Sequence, residues 1–495
     1  MLIDGDIMAM YGRRVIYTDE KQINRRNVVN VLNRAMIAHA ANRGEIEYLY
    51  NYYRGDQPIL HRTKEIRKEI NNRIVENRAN EIVSFKVGYL MGEPVQYVSR
   101  DAKDSADADA LNMLNRYMYA NGKAALDKEL ADWFTICGTA YRMVLPAMGE
   151  DAEDAPFKIY TLNPKRTFVV YWSGLGNEPV MGVYIVAKQD GNELYCVYTK
   201  DRYFEIENGT TILLERSHSM NAVPIIEYPA NMSRQGAFET VLPILDALNN
   251  IASNRVDGVE QFIQSLLVLT NADITSDQYN EMLKEGGLLL PADGDAKYLT
   301  QELNQTQTQT MVDYMYQTVL TICGMPSMSD GGTSDSSNNG AVILKNGWQS
   351  AEARAKDTEL MFKQSEKRFL KIALSIANIV ADNDFNASSI EIRFTRRNYE
   401  NIQEKAQVLL QMLSSDKIHP RLAFAHCGMF ADPEVAYAAS VEYEKQQKQE
   451  ALEEMKRYRE QMTASAGNEV SVKADADTES DDESDTKEPF GGDEA

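Results

Sequence analysis

The chain has 495 residues, of which 43% are hydrophobic and 25% are charged. This composition is ordinary for a folded protein of several domains, because one core seldom grows beyond about 250–300 residues. The net charge of −22 disfavours a protein that holds nucleic acid tightly through basic patches, and no apolar run approaches the roughly 18 residues of a membrane span.

The first half of the chain predicts an α+β domain over residues 25–235. A first helix is expected over residues 28–41, and further helices precede a block of short runs rich in β-branched and aromatic residues. Gly, Asn and Asp turns separate those runs as far as Tyr228, which is typical of strands joined by hairpins. The lone Gly-x-Gly at Gly174 and Gly176 is interpreted as one of these turns, because a dinucleotide site needs a third glycine and a following helix.

Long helices dominate the next part of the chain. Apolar residues recur at steps of three and four over residues 236–265 and again over 306–323. A third helix is predicted over residues 341–381, about 60 Å long at about 1.5 Å per residue. Between the last two, residues 324–340 are rich in Gly, Ser, Asn and Asp, which favours an irregular loop. Helices this long, joined by such a loop, suggest a part in a large assembly.

Two smaller regions complete the folded part. Residues 266–303 contain two short apolar strands around a small helix, which predicts a compact α/β insertion. After the third long helix, one strand at residues 390–394 precedes helices at about 401–413, 420–427 and 433–462. Residues 468–495 carry a net charge of −9 and few aromatic residues, so the chain beyond residue 464 is predicted to be disordered.

The sequence predicts no catalytic residue, metal site or cofactor. Neither a GxxxxGK[ST] phosphate loop nor an HExxH motif occurs. The pair His426–Cys427 is interpreted as a packed core pair, and the acids near Asp104 as solvated side chains rather than cation ligands. The four cysteines are widely spaced and are interpreted as buried thiols of a reducing compartment; they are Cys137, Cys196, Cys323 and Cys427.

Four short stretches of the chain carry a resemblance to a known family. They are residues 52–59 (YYRGDQPI), 77–83 (NRANEIV), 88–95 (GYLMGEPV) and 339–345 (NGAVILK). Together they resemble the portal proteins of tailed, double-stranded-DNA bacteriophages of the siphophage type. The first is similar to the YYxGxQxI stretch of that family, and the last to its SGxAL(K) segment, with Asn339 where Ser is commoner. The order of elements agrees over about residues 25–460, and the acidic tail lies outside the resemblance.

The resemblance implies a ring-forming α+β portal fold with a mixed α/β wing, long stem and wing helices, a small α/β clip and a helical crown. It implies the following division: N-terminal arm 1–24, wing 25–235, stem helix 236–265, clip 266–303, stem helix 304–323, tunnel loop 324–340, long wing helix 341–389, crown 390–463 and disordered acidic tail 464–495.

The resemblance also implies a function and a set of partners. A ring of about twelve copies is expected at one capsid vertex of the virion, assembled in the host cytoplasm. DNA would pass through it without sequence specificity during packaging and ejection. The expected partners are the terminase large subunit, head-completion or connector proteins, and the major capsid and scaffolding proteins, with no membrane.

Two sets of site residues follow from the resemblance. Leu288, Leu289, Leu290 and Tyr298 are expected to contact connector proteins through the clip. The tunnel loop is expected to line the DNA channel through Ser329, Asp330, Gly331, Gly332, Thr333, Ser334, Asp335, Ser336, Ser337, Asn338 and Asn339. This loop holds two Asp and no Lys or Arg, which suits DNA that must slide, because each basic contact to a phosphate adds a salt-sensitive attachment.

Two alternatives stay open at this point. One is a minor head or scaffold protein that does not form a ring, and native mass distinguishes it. The other is an enzyme of nucleic-acid metabolism, which a catalytic motif would favour.

Overall fold

The structure is a computed structural model that describes residues 12–100, 105–263, 266–270, 275, 277, 295–299, 305–326, 338–381, 387–396, 402–430 and 433–473. The chain divides into two compact units between Arg397 and Asn398.

The helices of the larger unit follow the predicted order. In chain order, the helices are α1 Val28–Tyr53, α2 Arg78–Leu90, α3 Ser105–Ala120, α4 Lys123–Cys137, the single turn α5 Asp151–Asp154, α6 Leu242–Ile263, α7 Gln305–Cys323 and α8 Asn338–Ala381. Short 3₁₀ turns cover Pro58–His61, Glu239–Val241 and Ala387–Ser389. The helix α8 has 44 residues and is the longest of the described elements.

The strands of the described residues form four sheets. Their bounds are β1 Ile16–Thr18, β2 Gln96–Ser99, β3 Thr139–Pro146, β4 Phe157–Leu162, β5 Thr167–Trp172, β6 Pro179–Ala187, β7 Glu193–Tyr198, β8 Arg202–Glu207, β9 Thr211–Ser217, β10 Ile225–Pro229, β11 Leu266–Thr270, β12 Asp295–Leu299 and β13 Ile390–Arg393. The sheets have the orders β1-β5-β6-β7-β8-β9, β10-β3-β4, β11-β12 and β13-β2. Strands β5 to β9 are successive antiparallel neighbours, so the predicted hairpins are confirmed, including the turn at Gly174 and Gly176.

Two cores share helix α1. Its first half, with Val31 and Leu32, packs on the six-stranded sheet, whose central strands supply Phe168, Val183 and Phe204. Its second half, with Leu49 and Tyr52, joins a larger core, which also takes residues from α2, α4, α6, α7, α8 and the sheet of β3, β4 and β10. The 26-residue length of α1 lets one helix serve both cores, because about seven turns present separate faces along its length.

The smaller unit is helical. It contains α9 Ile402–Leu413, α10 Pro420–His426 and α11 Pro433–Lys473. A small core of Leu409, Ala423, Phe424 and Cys427 joins the first two helices, and Tyr437 from α11 packs against it. Between residues 438 and 459 the side chains of α11 are mostly exposed, as its Glu-, Lys- and Gln-rich sequence predicts. Proline is its first residue, as expected at a position where no backbone donor is needed.

Several element boundaries differ from the expected division. Strand β1 lies within the expected N-terminal arm, yet it pairs in parallel with β5. Strand β13 lies at the start of the expected crown, yet it pairs with β2 of the larger unit. Helix α8 begins at Asn338, inside the expected loop, and α11 continues to Lys473, inside the expected tail. In each case a few residues form backbone hydrogen bonds of a strand or helix that the amino-acid composition of the segment does not predict.

Two side-chain predictions are corrected. His426 is exposed, so only Cys427 of the predicted core pair is buried. Cys196 is partly exposed, whereas the other three cysteines are buried. Both corrections have the same cause: adjacent residues on a helix or strand point in different directions, and only one of them meets the core.

Candidate assembly surface and channel segment

The two helices α6 and α7 lie side by side, and we refer to this pair as the stem. The Arg255 guanidinium in α6 donates a hydrogen bond of 2.8 Å to Gln309 Oε1 in α7. Strand β11 follows α6, and β12 precedes α7. The two strands pair antiparallel from Leu266 opposite Leu299 to Thr270 opposite Asp295. The pairing therefore closes the insertion at its base.

The first half of α6 is an ordinary amphipathic helix. The apolar side chains of Leu242, Leu245 and Leu248 are buried in the larger core. Just before the helix, Phe238 stacks on Tyr52 with ring centroids 5.9 Å apart. This end of the stem is thus fixed to the rest of the larger unit by apolar packing, as the sequence period predicts.

The second half of α6 buries polar residues instead. Asn249, Ser253 and Asp257 are at most 2% exposed, and their spacing of four places them on one side of the helix. Asn249 Oδ1 and Ser253 Oγ each accept a hydrogen bond of 3.0 Å from the backbone N–H of Glu76 and Ile74, respectively. This polar ridge therefore docks the extended segment that leads into α2.

Asp257 ends the polar ridge and gathers several donors. Asn72 donates to Asp257 Oδ1 from its backbone N–H at 2.8 Å and from its side chain at 2.9 Å. Arg62 and Lys64 form ion pairs with Asp257 Oδ2. Burial opposes ionisation of this carboxyl, but the bonds from Lys64 and Asn72 outweigh it and lower its pKa. Asp257 is therefore an ionised anchor of the stem.

Apolar residues lie uncovered on both stem helices. In α6, Val256 is 37% and Val259 is 43% exposed, although the sequence period predicts both as inward-facing. In α7, Met311 is 51%, Tyr314 is 73% and Ile322 is 40% exposed, while Val319 and Leu320 are buried. The stem thus has more apolar surface than this single subunit covers. We call these five exposed residues the stem apolar set.

Helix α8 is held by a buried cluster of charges that the sequence analysis missed. Glu366, at 0% exposure, accepts hydrogen bonds from Tyr97 at 2.5 Å and from Tyr228 at 2.6 Å. Arg142 donates to it at 3.2 Å, and Lys123 lies 3.0 Å away. Both cations also contact Asp127. We call these residues the Glu366 cluster. The charges of its two cations and two carboxylates sum to zero.

Electrostatics keep this cluster ionised. Burial alone would neutralise Glu366, but Lys123 and Arg142 lower its pKa below the usual range. Burial and the same carboxylate raise the pKa of Tyr97 and Tyr228, so both hydroxyls remain protonated donors. The residues come from β2, α4, β3, β10 and α8. Their separation along the chain explains why no local pattern could reveal them.

The predicted site residues are only partly described. Leu288, Leu289 and Leu290 lie outside the described residues, as do residues 327–337 of the expected tunnel loop. Tyr298 lies in β12 opposite Leu267. Asn338 and Asn339 are the first two residues of α8 rather than loop residues. At the N-terminal end of the expected tunnel loop, Met325 and Pro326 follow α7 directly and are buried.

Within the part of the chain that the structure describes, no three or more His, Cys, Asp and Glu side chains form a group that could hold a metal ion. Nor is any described helix both long and apolar enough to cross a membrane.

Comparison with known proteins decides the family. The model of the phage portal protein family described as SPP1 Gp6-like matches residues 36–462. The chain belongs to this portal family. It is 22% identical over 413 residues to the portal protein of Clostridium phage phiCD119, covering 76% of this chain and 88% of that protein. It is 22% identical over 404 residues to the portal protein of Bacillus phage SPP1, covering 74% of each. Portal proteins are structural proteins of the phage virion.

Two solved structures of similar chains come from gene transfer agent particles. A chain in the neck of an empty gene transfer agent particle, computed with C6 symmetry, has 14% sequence identity and a TM-score of 0.44. The alignment covers 71% of the portal chain and 90% of that chain. A chain in the virion of a native gene transfer agent particle has 14% identity and a TM-score of 0.43, with 71% and 89% covered.

Proposed function

We propose that this portal protein assembles into a closed ring of about twelve subunits at one vertex of the capsid, and that the ring is the channel for DNA packaging and ejection. The observation that carries the proposal is the stem apolar set. Val256 and Val259 lie on one helix and Met311, Tyr314 and Ile322 on the other, all uncovered in the single chain.

A ring contact needs two different surfaces on each subunit, because a rotation brings one face of a subunit against another face of its neighbour. Exposed apolar residues on both stem helices suit such a contact, because removing apolar surface from water contributes a favourable free energy of about 25 cal/mol per Å². The same helices have one basic residue between them, Arg255, and it is engaged with Gln309. A ring lined by them would therefore present little positive charge to DNA.

Native mass spectrometry of the full-length protein tests ring formation. We expect a closed ring of many subunits at micromolar concentration. Monomers or dimers alone would contradict the proposal and would favour a scaffold or minor head protein.

The loop before α8 is proposed as the narrowest part of the channel. Its neighbours are the long helices α7 and α8, so both ends are tied to well-formed elements. Asp330 and Asp335 supply negative charge, and no basic residue occurs between Gly324 and Gly340. We propose that these carboxylates weaken contact with the DNA phosphates and so allow movement.

Replacing both acids tests this role. The variant Asp330→Lys/Asp335→Lys should still form rings and should slow or stop DNA packaging, with relief at higher salt, because added cations bind phosphates and salt screens them. The control Asp330→Asn/Asp335→Asn removes the negative charge without adding positive charge and should have a smaller effect. Packaging at the normal rate by the lysine variant at low salt would contradict a channel position.

The insertion is proposed to contact connector proteins through Leu288, Leu289, Leu290 and Tyr298. The short sheet of β11 and β12 is too small to bury an apolar segment by itself. The variant Leu289→Asp should lose connector binding or ring assembly while circular dichroism stays unchanged. Rings that still bind connector would contradict this role.

The remaining partners are proposed from family membership. They are the terminase large subunit, head-completion proteins, and the major capsid and scaffolding proteins, met during assembly in the host cytoplasm. We propose that the chain performs no chemistry of its own and acts as a docking ring.

A further inference from the structure

A cavity of about 590 Å³ lies between α2, α4, α7 and α8. Its volume is in the range of about 300–1,000 Å³ that is usual for ligand sites. Aromatic and aliphatic side chains supply much of its wall; among them are Phe85, Tyr89, Phe134, Leu360 and Met361. Met232 and Leu360 line it and are 79% and 67% exposed. The cavity is therefore open at an apolar mouth.

The cavity also carries excess positive charge. Lys86 and Arg354 both line it, and Asp357 is the one acidic side chain among its lining residues. No ion pair joins Lys86 or Arg354 to another side chain within the parts of the chain that the structure describes. Burial, together with the nearby Arg354, lowers the pKa of Lys86. An anionic group entering here would relieve the repulsion between two neighbouring cations.

The backbone brings one segment of the chain to this cavity. At Gly12, φ is +88°, and a Cβ there would lie 1.8 Å from the carbonyl oxygen of Ser233, so only glycine fits. The next residue, Arg13, donates its backbone N–H to Arg234 O at 3.0 Å. Ser233 and Gln235 line the cavity. Gly12, the first described residue, thus lies at the rim of the cavity.

The sequence of residues 1–11, MLIDGDIMAMY, matches the cavity in chemistry. It contains two acids, Asp4 and Asp6, no basic side chain, and apolar residues at most other positions. Eleven residues span up to about 35–40 Å when extended, which is more than enough to enter a cavity that begins at their own anchor.

We propose that residues 1–11 bind in the cavity of their own subunit, with Asp4 and Asp6 facing Lys86 and Arg354 and the apolar residues covering Met232 and Leu360. The occupied cavity would link the N-terminus to the junction of α7 and α8, next to the loop proposed to line the channel. The proposal concerns contacts within one subunit and does not depend on ring formation.

Hydrogen–deuterium exchange of the full-length protein, followed by mass spectrometry of the peptide over residues 1–11, tests the charge contacts. Exchange there should be at least about tenfold faster in Lys86→Glu/Arg354→Glu than in the unmodified protein, because charge-assisted bonds of this kind are worth about that factor. Combining this variant with Asp4→Lys/Asp6→Lys should restore slow exchange. The control Lys367→Glu, at an exposed position of α8, should change nothing.

A second measurement identifies the occupant. In the variant Met8→Cys/Leu360→Cys, oxidation should form a disulfide within one chain, detected by mass spectrometry as a disulfide-linked pair of peptides in a digest of the monomer band from a non-reducing gel. A covalent dimer would show that the segment comes from a second copy and would overturn the proposal.

Fast exchange of residues 1–11 in the unmodified protein would also overturn the proposal, as would exchange that is the same in all variants. If the Lys86 variant does not fold, Asp4→Lys/Asp6→Lys alone decides the matter, because those residues are outside the packed core; unchanged slow exchange in that variant would then overturn the proposal.

Discussion

Helix α8 and the second half of α6 both bury polar residues, but the apolar residues around them differ in burial. In α8, the buried Glu366 lies among buried apolar neighbours such as Phe362, Phe369 and Leu370, and every partner comes from the same chain. In α6, Asn249, Ser253 and Asp257 are buried while Val256 and Val259 are exposed. In the first region the apolar neighbours of the buried charge are themselves buried, whereas in the second two apolar residues lie uncovered in the single chain.

The difference separates folding from assembly. Removing a charge from a balanced, buried cluster should damage the subunit itself, because a buried charge without a partner is costly. Changing an uncovered valine should leave the subunit folded and should affect only what covers it. Variants of Glu366 should therefore change the stability of the subunit, and variants of the exposed valines should change the association of subunits. The two effects can be measured separately.

The largest effect is expected at Glu366. The variant Glu366→Gln leaves Lys123 and Arg142 balanced only by Asp127, so the buried cluster gains a net positive charge. Loss of one partner of a buried ion pair costs about 3–5 kcal/mol, so the thermal unfolding midpoint of the larger unit should fall strongly. The control Lys367→Ala changes the next, exposed residue and should stay within about 0.5 kcal/mol. Equal midpoints for the two variants would show that the cluster does not support the fold.

An intermediate effect is expected in the stem. The variant Val256→Asp/Val259→Asp should weaken association between subunits by at least about tenfold per contact, because carboxylates cannot enter an apolar interface without a large desolvation penalty. Native mass spectrometry measures the loss of rings, and the unfolding midpoint should be nearly unchanged. The matched control Gln261→Asp adds charge at another exposed position of α6 and should keep the rings. Intact rings in the valine variant would place the subunit contact elsewhere.

The effect expected to be smallest at neutral pH concerns His39, in the interior beside the six-stranded sheet. His39 is 1% exposed, and its ring lies 3.2 Å from Lys165 O and 4.6 Å from the ring of Phe168. Burial lowers the pKa of His39 to about 4 from 6.5. Between these values the unfolded chain binds the proton and the folded chain does not, so stability falls as pH decreases from 6.5 towards 4.

The variant His39→Gln checks this expectation, because glutamine keeps a donor for Lys165 O and does not titrate. Unfolding midpoints measured between pH 4 and pH 7 should fall less steeply for the variant than for the unmodified protein. Parallel curves would show that His39 does not titrate in this range.

The sequence alone was sufficient for the regular elements and for the family. Strands β3 to β10 and the long helices α6, α7 and α8 follow the predicted periods, because a repeat of two or of 3.6 residues is a local consequence of side-chain direction. The resemblance rested on short runs such as residues 52–59, and the match of the family model to residues 36–462 confirms it.

Tertiary structure decided which residues those elements bury. The apolar period of α6 includes Val256 and Val259 and does not include Asn249, Ser253 or Asp257. In the structure the two valines are exposed and the three polar residues are buried. The reason lies far away in the chain: residues 72–76 present backbone N–H groups opposite those polar side chains. Glu366 likewise meets Tyr97 and Arg142 across 269 and 224 residues. A period reports only the direction of a side chain, whereas the partner that it meets depends on which distant segment packs there.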